Sequence, residues 1–436
     1  MTDTHTAPAD RADTTLPRPQ PIGVFPLPAG YLLIPAGAAN EAVRESLVAG
    51  RLPERWPAEL AWYQAALDGD PDAAKAGLDL LLAGNPAHAD SAVLATNYLV
   101  VDPTPARLDA ARWAAAGDPV LSTYVETLAF VTGLSANPPF FTDAVQATVG
   151  EEFAAMLHAA HATQALEERR PGDAVDHLEA AAQAANKVSK PLAGQLMGQM
   201  AHTQLEEGGE QRAAVTFQAS LDLLEGTDLL QSRAELHVAT GAMYQEMRES
   251  APHLMKAAID HYHQALALVT AESAPETFAI ANANLGLAYI SMPMTEASDQ
   301  LRIGVAVQAM REALKIFSPL THLDRWSSTQ LNLANALVYM PSKHQADNIA
   351  EAVDLYEDVL QHRDRHTDPQ GRARVLANQG NALAHLGLFD DAKARLFEAR
   401  SIFEEFEEHE AVRSVRGVLD EIAKQESVIR QDAADG

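Results

Sequence analysis

The sequence predicts an all-α fold, an α-solenoid of antiparallel helix pairs that follows a stack of shorter helices. One observation is an internal repeat: segments like AIDHYHQALALV recur every 39 to 48 residues from residue 174 onwards. The other is a series of Asp-Pro and Asn-Pro pairs at regular intervals before residue 150. A repeat of this period is typical of helical solenoids, in which each unit packs mainly against its neighbours.

Composition excludes several classes of function. The 436 residues include 32 Lys and Arg against 60 Asp and Glu, and the resulting net charge of -28 repels phosphate backbones, so nucleic acid is not an expected partner. The absence of cysteine excludes disulfides, thiolate metal sites and thiol nucleophiles. No apolar window is long enough to span a membrane. We therefore expect a cytoplasmic protein with no membrane partner, while homo-oligomerisation stays open.

The N-terminal 37 residues divide into two segments. Residues 1–21 are polar and have too little apolar surface to offset the entropy of ordering, so we expect a disordered tail. Residues 22–37 are apolar and rich in proline, which excludes a helix and any central strand. We expect this segment to lie extended against the helical body. An exposed hook for a partner is the alternative.

Residues 38–150 are predicted to form an N-terminal α-helical stack. Asp or Asn before Pro marks a helix start, because the side chain caps free N–H groups and Pro has no N–H to lose. Five such pairs are present: 70/71, 85/86, 102/103, 118/119 and 137/138. Six aromatic residues of this region are expected in the core rather than in a ligand cage. They are Trp62, Tyr63, Tyr98, Trp113, Tyr124 and Phe130.

Residues 151–416 contain six repeats, and the second helix of each has one regular face. Each of these helices carries a marker alanine, a large residue four positions later, and a small residue or Val seven positions later, all on one helical face. The markers are Ala174, Ala213, Ala258, Ala306, Ala352 and Ala392. The large residues are Leu178, Phe217, Tyr262, Met310, Tyr356 and Leu396.

The first helix of each repeat has a small residue of its own. A glycine inside a helix costs up to about 1 kcal/mol, so its recurrence indicates that two helices approach too closely for a side chain. The small residues are Ala162, Ala201, Gly241, Gly286, Ala334 and Gly380.

These positions resemble a known repeat family. Leu376, Gly380, Gly387, Ala392 and Ala399 have the spacing of the tetratricopeptide repeat, as do Gly241 with Tyr244 and Gly286 with Tyr289. The resemblance covers about 60% of the chain and implies a right-handed superhelix. The longer spacing is similar to the long-helix variety found in kinesin light chains and bacterial peptide-sensing regulators.

The repeats differ in length mainly at the turn between their two helices. The inserts of repeats three to five read MRESAPHLM, SMPMTEASDQLRIG and YMPSKHQADN. Inserts at one turn of successive units fall on one edge of a solenoid, and either a binding edge or a structural lip would explain them. A C-terminal helix is predicted from about residue 411 to residue 430. Residues 417–436 are its capping part and a polar tail.

A set of asparagines is the strongest functional pattern. Asn is a mediocre helix former, so its recurrence inside successive first helices requires a reason. By the tetratricopeptide resemblance, these positions line a concave groove and hold the backbone of a bound peptide; the alternative is that their amides bond to neighbouring helices. The candidate peptide-binding residues are Asn284, Asn332, Asn335, Tyr339, Arg374, Asn378, Asn381 and His385.

The sequence contains no recognisable catalytic or metal-binding motif. The sequence has no phosphate-binding loop, nucleophile elbow, HExxH helix or calcium loop. The pairs His158/His161 and His362/His366 offer two ligands where a closed zinc site needs four, so we expect no metal and no cofactor.

The expected function is therefore that of a non-catalytic scaffold or adaptor that binds a peptide segment of a protein partner, with assembly or maturation of that partner as one such role. A peptide-responsive signalling regulator is the first alternative, although no basic helix-turn-helix precedes the repeats. An enzyme that uses the His-rich face is the second alternative.

Overall fold

The fold was analysed in a computed structural model, which describes residues 23–35, 38–84, 88–140, 150–247, 253–293 and 299–435. Within these residues the regular elements are nineteen α-helices and two short 3-10 helices, with no strand. The predicted all-α solenoid class is thus confirmed. The chain divides into two compact units, Met1–Leu236 (unit 1) and His237–Gly436 (unit 2).

Unit 1 begins with six short helices and continues with two pairs of longer ones. The short helices are α1 (Ala38–Val48), α2 (Ala61–Leu67), α3 (Pro71–Ala83), α4 (His88–Val101), α5 (Pro105–Ala115) and α6 (Pro119–Val131). The pairs are α7 (Glu151–Glu167) with α8 (Pro171–Ala185), and α9 (Lys190–Glu206) with α10 (Glu210–Leu224). Helix α11 (Leu230–Glu246) begins in unit 1 and ends in unit 2.

The predicted helix starts of this region have different outcomes. Asp70 and Asp118 cap α3 and α6 as predicted, each accepting a hydrogen bond from a free N–H of the first turn. The prediction at 102/103 is wrong, because Thr104 caps α5 in place of Asp102 by accepting from the Arg107 N–H at 3.3 Å. No described helix begins at the 137/138 pair, and residues 85–87 lie outside the described part of the chain.

The N-terminal segment, residues 23–35, is packed into unit 1. Val24, Leu32, Leu33 and Ile34 are at most 1% exposed. The side chain of Asn97 in α4 holds the segment: its Oδ1 accepts from the Leu33 N–H at 2.8 Å, and its Nδ2 donates to the Leu33 carbonyl at 3.2 Å. This burial contradicts the alternative of an exposed hook and agrees with a segment that lies against the helices. The prediction that the segment is extended throughout is wrong, because Ala29–Tyr31 form a short 3-10 helix, which needs only three residues beyond Pro28.

The aromatic residues of the stack are core residues, with one exception. Trp62, Tyr63, Tyr98, Tyr124 and Phe130 are buried as predicted. The prediction is wrong for Trp113, which is 76% exposed because it lies on the outer face of α5.

Unit 2 continues the pairing of helices and ends with a long single helix. The pairs are α11 with α12 (Leu254–Leu268), α13 (Pro275–Ser291) with α14 (Asp299–Leu314), α15 (Leu323–Tyr339) with α16 (Gln345–His362), and α17 (Pro369–His385) with α18 (Phe389–Glu405). The last helix is α19 (His409–Asp435), which is longer at both ends than the helix predicted for 411 to 430.

The six first helices are all 17 residues long, whereas the turns that follow them differ in length. The turn has three residues in the first, second and sixth pairs and five to seven in the others. Part of each of the last two inserts is helical, because QLRIG lies in α14 and QADN in α16. Residues 248–252 and 294–298 of the inserts lie outside the described residues.

Glycines mark the closest approach of the two helices of a pair, as predicted. A Cβ added to Gly241, Gly286 or Gly380 would lie 2.7 Å from a side-chain atom of the large residue on the second helix. These large residues are Tyr262, Met310 and Leu396. The marker alanine's carbonyl oxygen is the next obstacle, at 3.1 to 3.2 Å, so a larger side chain would push the helices apart.

Candidate functional site

The eight predicted site residues lie on three first helices of unit 2. Asn284 is on α13, whereas α15 carries Asn332, Asn335 and Tyr339, and α17 carries Arg374, Asn378, Asn381 and His385. Spacings of three and four residues place the members of each helix on one face. We call the five asparagines of this face the amide face.

A chain of hydrogen bonds links α15 with its neighbours. The Asn335 Oδ1 accepts from the Tyr356 hydroxyl at 2.6 Å and from the Asn378 Nδ2 at 3.2 Å. Tyr356 is 1% exposed, and burial raises its pKa, so its hydroxyl keeps its proton and acts as a donor. The structure therefore joins Asn335 and Asn378, and the alternative that the amides bond to neighbouring helices holds for these two.

The other members of the face make weaker contacts. The Asn381 Nδ2 donates to the Tyr339 hydroxyl at 3.5 Å, at the outer limit for a hydrogen bond. The guanidinium of Arg374 lies 3.5 Å from a carboxylate oxygen of Glu408, and its side chain is 68% exposed. His385 is exposed at the C-terminal end of α17. Tyr339 and Arg374 thus remain accessible to a ligand.

The amide face keeps unused donors and acceptors. Among the described residues, the side chains of Asn284 and Asn332 have no hydrogen-bonding partner although both are partly exposed. An amide side chain supplies two N–H donors and an acceptor with two lone pairs, so Asn332 can hold both groups of a peptide unit. Asn378 uses one of its N–H groups and retains its Oδ1 as an acceptor. This arrangement suits the backbone of an extended chain.

Tyr356 and Glu408 belong to the surroundings of this face, and sequence reasoning missed both. The sequence places Tyr356 among the large core residues, which it is, but its hydroxyl also reaches Asn335. Glu408 immediately precedes α19. The available signal for Tyr356 was its polar hydroxyl, shared only with Tyr262 among the six large residues, at a position where the other four repeats have Leu, Phe or Met.

Three histidines of unit 1 form a half-buried group, whereas His362 and His366 of unit 2 are exposed. His158 and His161 on α7 both contact His177 on α8: the Nδ1 atoms of His158 and His177 are 3.4 Å apart, and the His161 and His177 rings stack. Burial and the neighbouring rings of His177 and His161 lower the pKa of His158 to about 4. Among the described residues, no group of three or more His, Asp or Glu side chains has a geometry that could hold a metal ion.

His261 is also half-buried. Its Nδ1 lies 2.9 Å from the Nδ1 of His237, and burial lowers its pKa. His263 is exposed and contacts the Tyr289 hydroxyl at 2.8 Å. The His362 ring contacts an aromatic ring instead of another histidine, because it packs edge-on against Trp326.

Acid should destabilise the protein through these histidines. Because the pKa of His158 is lowered from 6.5 to about 4, the unfolded chain binds its proton first as the pH falls. The contribution of His158 to the free energy of unfolding is then fully present above about pH 6.5 and is lost progressively toward pH 4. Burial also lowers the pKa values of His161 and His202, so these residues act in the same direction. The check is the melting temperature between pH 7.5 and 4.5 for the wild type and for His158→Gln.

The variant should show a smaller decrease of melting temperature between pH 6.5 and 5 than the wild type. His409→Gln changes an exposed side chain of α19 and should follow the wild-type profile. Identical slopes for all three proteins would show that His158 does not contribute to the acid sensitivity.

The described helices include none with the length and apolar character needed to cross a membrane.

Comparison with known proteins gives similarity in fold. No family model matches the chain, and no curated protein matches it. Among solved structures, MamA from Desulfovibrio magneticus RS-1 is 19% identical with a TM-score of 0.35, and the match covers 49% of this chain and 97% of that one. The apo form of RapI is 11% identical with a TM-score of 0.46, covering 85% and 97%.

The TPR2AB domain of yeast Sti1, from its complex with pHSP90, is 15% identical with a TM-score of 0.23, covering 62% and 98%. The predicted resemblance to tetratricopeptide repeat proteins holds in the fold of the chain itself, whose helices pair in succession with the predicted close approaches. At these identities and TM-scores the likeness bears on neither ligand nor partner.

Proposed function

We propose that the chain is a non-catalytic scaffold that binds an extended segment of a partner protein at the amide face. The observation that carries this proposal is the unpartnered amide of Asn332 beside the linked pair Asn335 and Asn378, on a face that also presents exposed Tyr339 and Arg374. Amides recognise a peptide backbone whatever its side chains, so the segment is selected mainly by its extended conformation.

The chain itself contains an example of this chemistry. Asn97 holds both the N–H and the carbonyl of Leu33, within the N-terminal segment that lies against the helices. In addition, the Gln195 Nε2 donates to the Val24 carbonyl at 2.5 Å. Amide side chains on helices thus bind non-helical backbone in unit 1, and the same use of Asn332 and Asn378 requires no new type of contact.

Charged residues near the amide face determine which side chains of the partner segment are favoured. Arg374 lies against Glu408 with most of its side chain exposed, so an acidic side chain or a C-terminal carboxylate of the partner can compete for it. Within unit 2, Glu246 at the end of α11 favours a basic residue of the segment. An ordinary role for such a scaffold is to hold a client during assembly or maturation.

The double variant Asn332→Ala with Asn378→Ala should weaken binding of the partner about ten-fold or more. Each lost hydrogen bond costs roughly 0.5 to 1.5 kcal/mol, and at least two peptide contacts are lost. A partner is first recovered from native cell extract with the immobilised wild-type chain. Its binding segment is then mapped and titrated calorimetrically against wild type and variant at 0.1 and 0.5 M salt, and the affinity should also fall with salt.

Asn186→Ala is the matched control, because this Asn at the end of α8 is exposed and its side chain has no hydrogen-bonding partner among the described residues. Its affinity should equal that of the wild type. Unchanged affinity in a double variant that keeps its melting temperature would make the asparagines structural and would refute the proposed site.

A further inference from the structure

A cavity of about 710 Å³ opens in unit 1 between the N-terminal segment and the first helices of the repeats. Val24 to Leu27 form one wall. Met156 of α7 and Leu192 and Leu196 of α9 contribute an apolar lining. This volume lies within the range of about 300 to 1,000 Å³ that is typical of ligand pockets. It is large enough for several side chains of a peptide.

The polar lining of this cavity carries charge of one sign. Asp68, Asp228 and Glu235 lie on its lining, and none of its described lining residues is Lys, Arg or His. The three side chains are exposed. Asp228 accepts from the Leu52 N–H at 2.8 Å and Glu235 from the Gln231 Nε2 at 2.9 Å, and each keeps its negative charge facing the cavity. A site of apolar lining and acidic groups favours a cationic group on an apolar stem, such as the side chain of Lys or Arg.

Two glutamines on α9 indicate that the ligand is a peptide. Gln195 lines the cavity and donates to the Val24 carbonyl of the wall. Gln199 lies one helical turn later, also lines the cavity, is exposed, and has no hydrogen-bonding partner among the described residues. It precedes Ala201 by two residues, which is the position that Asn332 and Asn378 occupy in their own helices. One amide therefore already holds a backbone carbonyl of the chain, and the next one has no partner among the described residues.

We propose that this cavity binds a second extended peptide segment, in which Lys or Arg alternates with apolar residues. Gln199 holds a peptide unit of the segment, the apolar lining takes the alternate side chains, and the carboxylates of Asp68, Asp228 and Glu235 take the cations. The proposal rests on the proposed function only for the class of ligand, since its residues are distinct from the amide face.

The test uses two fluorescein-labelled, amidated octapeptides, one of alternating Val and Lys and one of alternating Val and Glu. The full-length chain should bind the Lys peptide and show no saturable binding of the Glu peptide by fluorescence anisotropy. The variant Asp68→Asn with Glu235→Gln keeps the side-chain sizes and should bind the Lys peptide at least ten-fold more weakly. Gln199→Ala should lose about three-fold or more, with the charge unchanged.

Two controls separate this site from general attraction to an acidic protein. Asp72→Asn with Glu225→Gln removes the same number of charges from exposed positions outside the lining and should stay within two-fold of the wild type. Asn332→Ala with Asn378→Ala should also bind the Lys peptide as the wild type does, so failure here is distinct from failure at the amide face. Equal losses in the two charge variants, or an unchanged affinity of Gln199→Ala, would overturn the proposal.

Discussion

Replacing Asn97 by alanine should lower the free energy of unfolding of unit 1 by about 3 kcal/mol, because two backbone groups lose their partner at once. Asn97 is 1% exposed and Leu33 is equally buried, so water cannot replace the amide without entering the core. A buried donor or acceptor without a partner costs about 1 to 3 kcal/mol, and here the N–H and the carbonyl of Leu33 are both affected.

The measurement is hydrogen exchange of peptides from α4 and α6 in the native state, which gives the opening free energy of this region. Asn186→Ala removes an amide of the same size from an exposed position and should change the opening free energy by less than about 0.5 kcal/mol. If Asn97→Ala behaves like this control, the N-terminal segment does not depend on the amide.

Replacing Gly380 by valine should destabilise unit 2 by about 3 kcal/mol. The new Cβ would lie 2.7 Å from Leu396 Cγ and 3.2 Å from the Ala392 carbonyl oxygen. The oxygen belongs to the backbone of α18, so the two helices must separate, and this opens the contacts that bury the core of the sixth pair. Hydrogen exchange in α17 and α18 should accelerate, whereas that of unit 1 should not change.

Gly304→Val is the matched control. Gly304 is also inside a helix, but a Cβ there would have no neighbour within 4 Å, so valine should gain a few tenths of a kcal/mol from its better helix propensity. Equal effects of the two substitutions would mean that helix propensity, rather than the close approach of α17 and α18, determines the outcome at Gly380.

The repeat register predicted the core well because it depends on spacing alone. The marker alanines and the large residues four positions later are at most 2% exposed, from Leu178 in the first pair to Leu396 in the last. The predicted close approach at Gly241, Gly286 and Gly380 holds for the same reason, since a helix face is determined by residue number. Such relations need no knowledge of distant contacts.

Contacts between helices were beyond the reach of that reasoning. The spacing of His158 and His161 shows that they share a face, but not that His177 of the next helix lies against them. Likewise, the recurrence of asparagines pointed to Asn335 and Asn378 without showing that they bond to each other. At the start of α5 two cap residues competed, and only the backbone path selects Thr104 over Asp102.

The hydrogen bond from Tyr356 to Asn335 connects the surface with the interior of unit 2. A ligand group that donates to the Asn335 Oδ1 competes with the Tyr356 hydroxyl, whose ring is anchored in the core. Ligand binding at the amide face is therefore thermodynamically coupled to the packing of α16. By thermodynamic linkage, the factor by which a bound ligand changes the packing equilibrium of α16 equals the factor by which a change in that packing alters the affinity of the ligand. A partner bound at the amide face, as proposed, would thus sense the packing of α16.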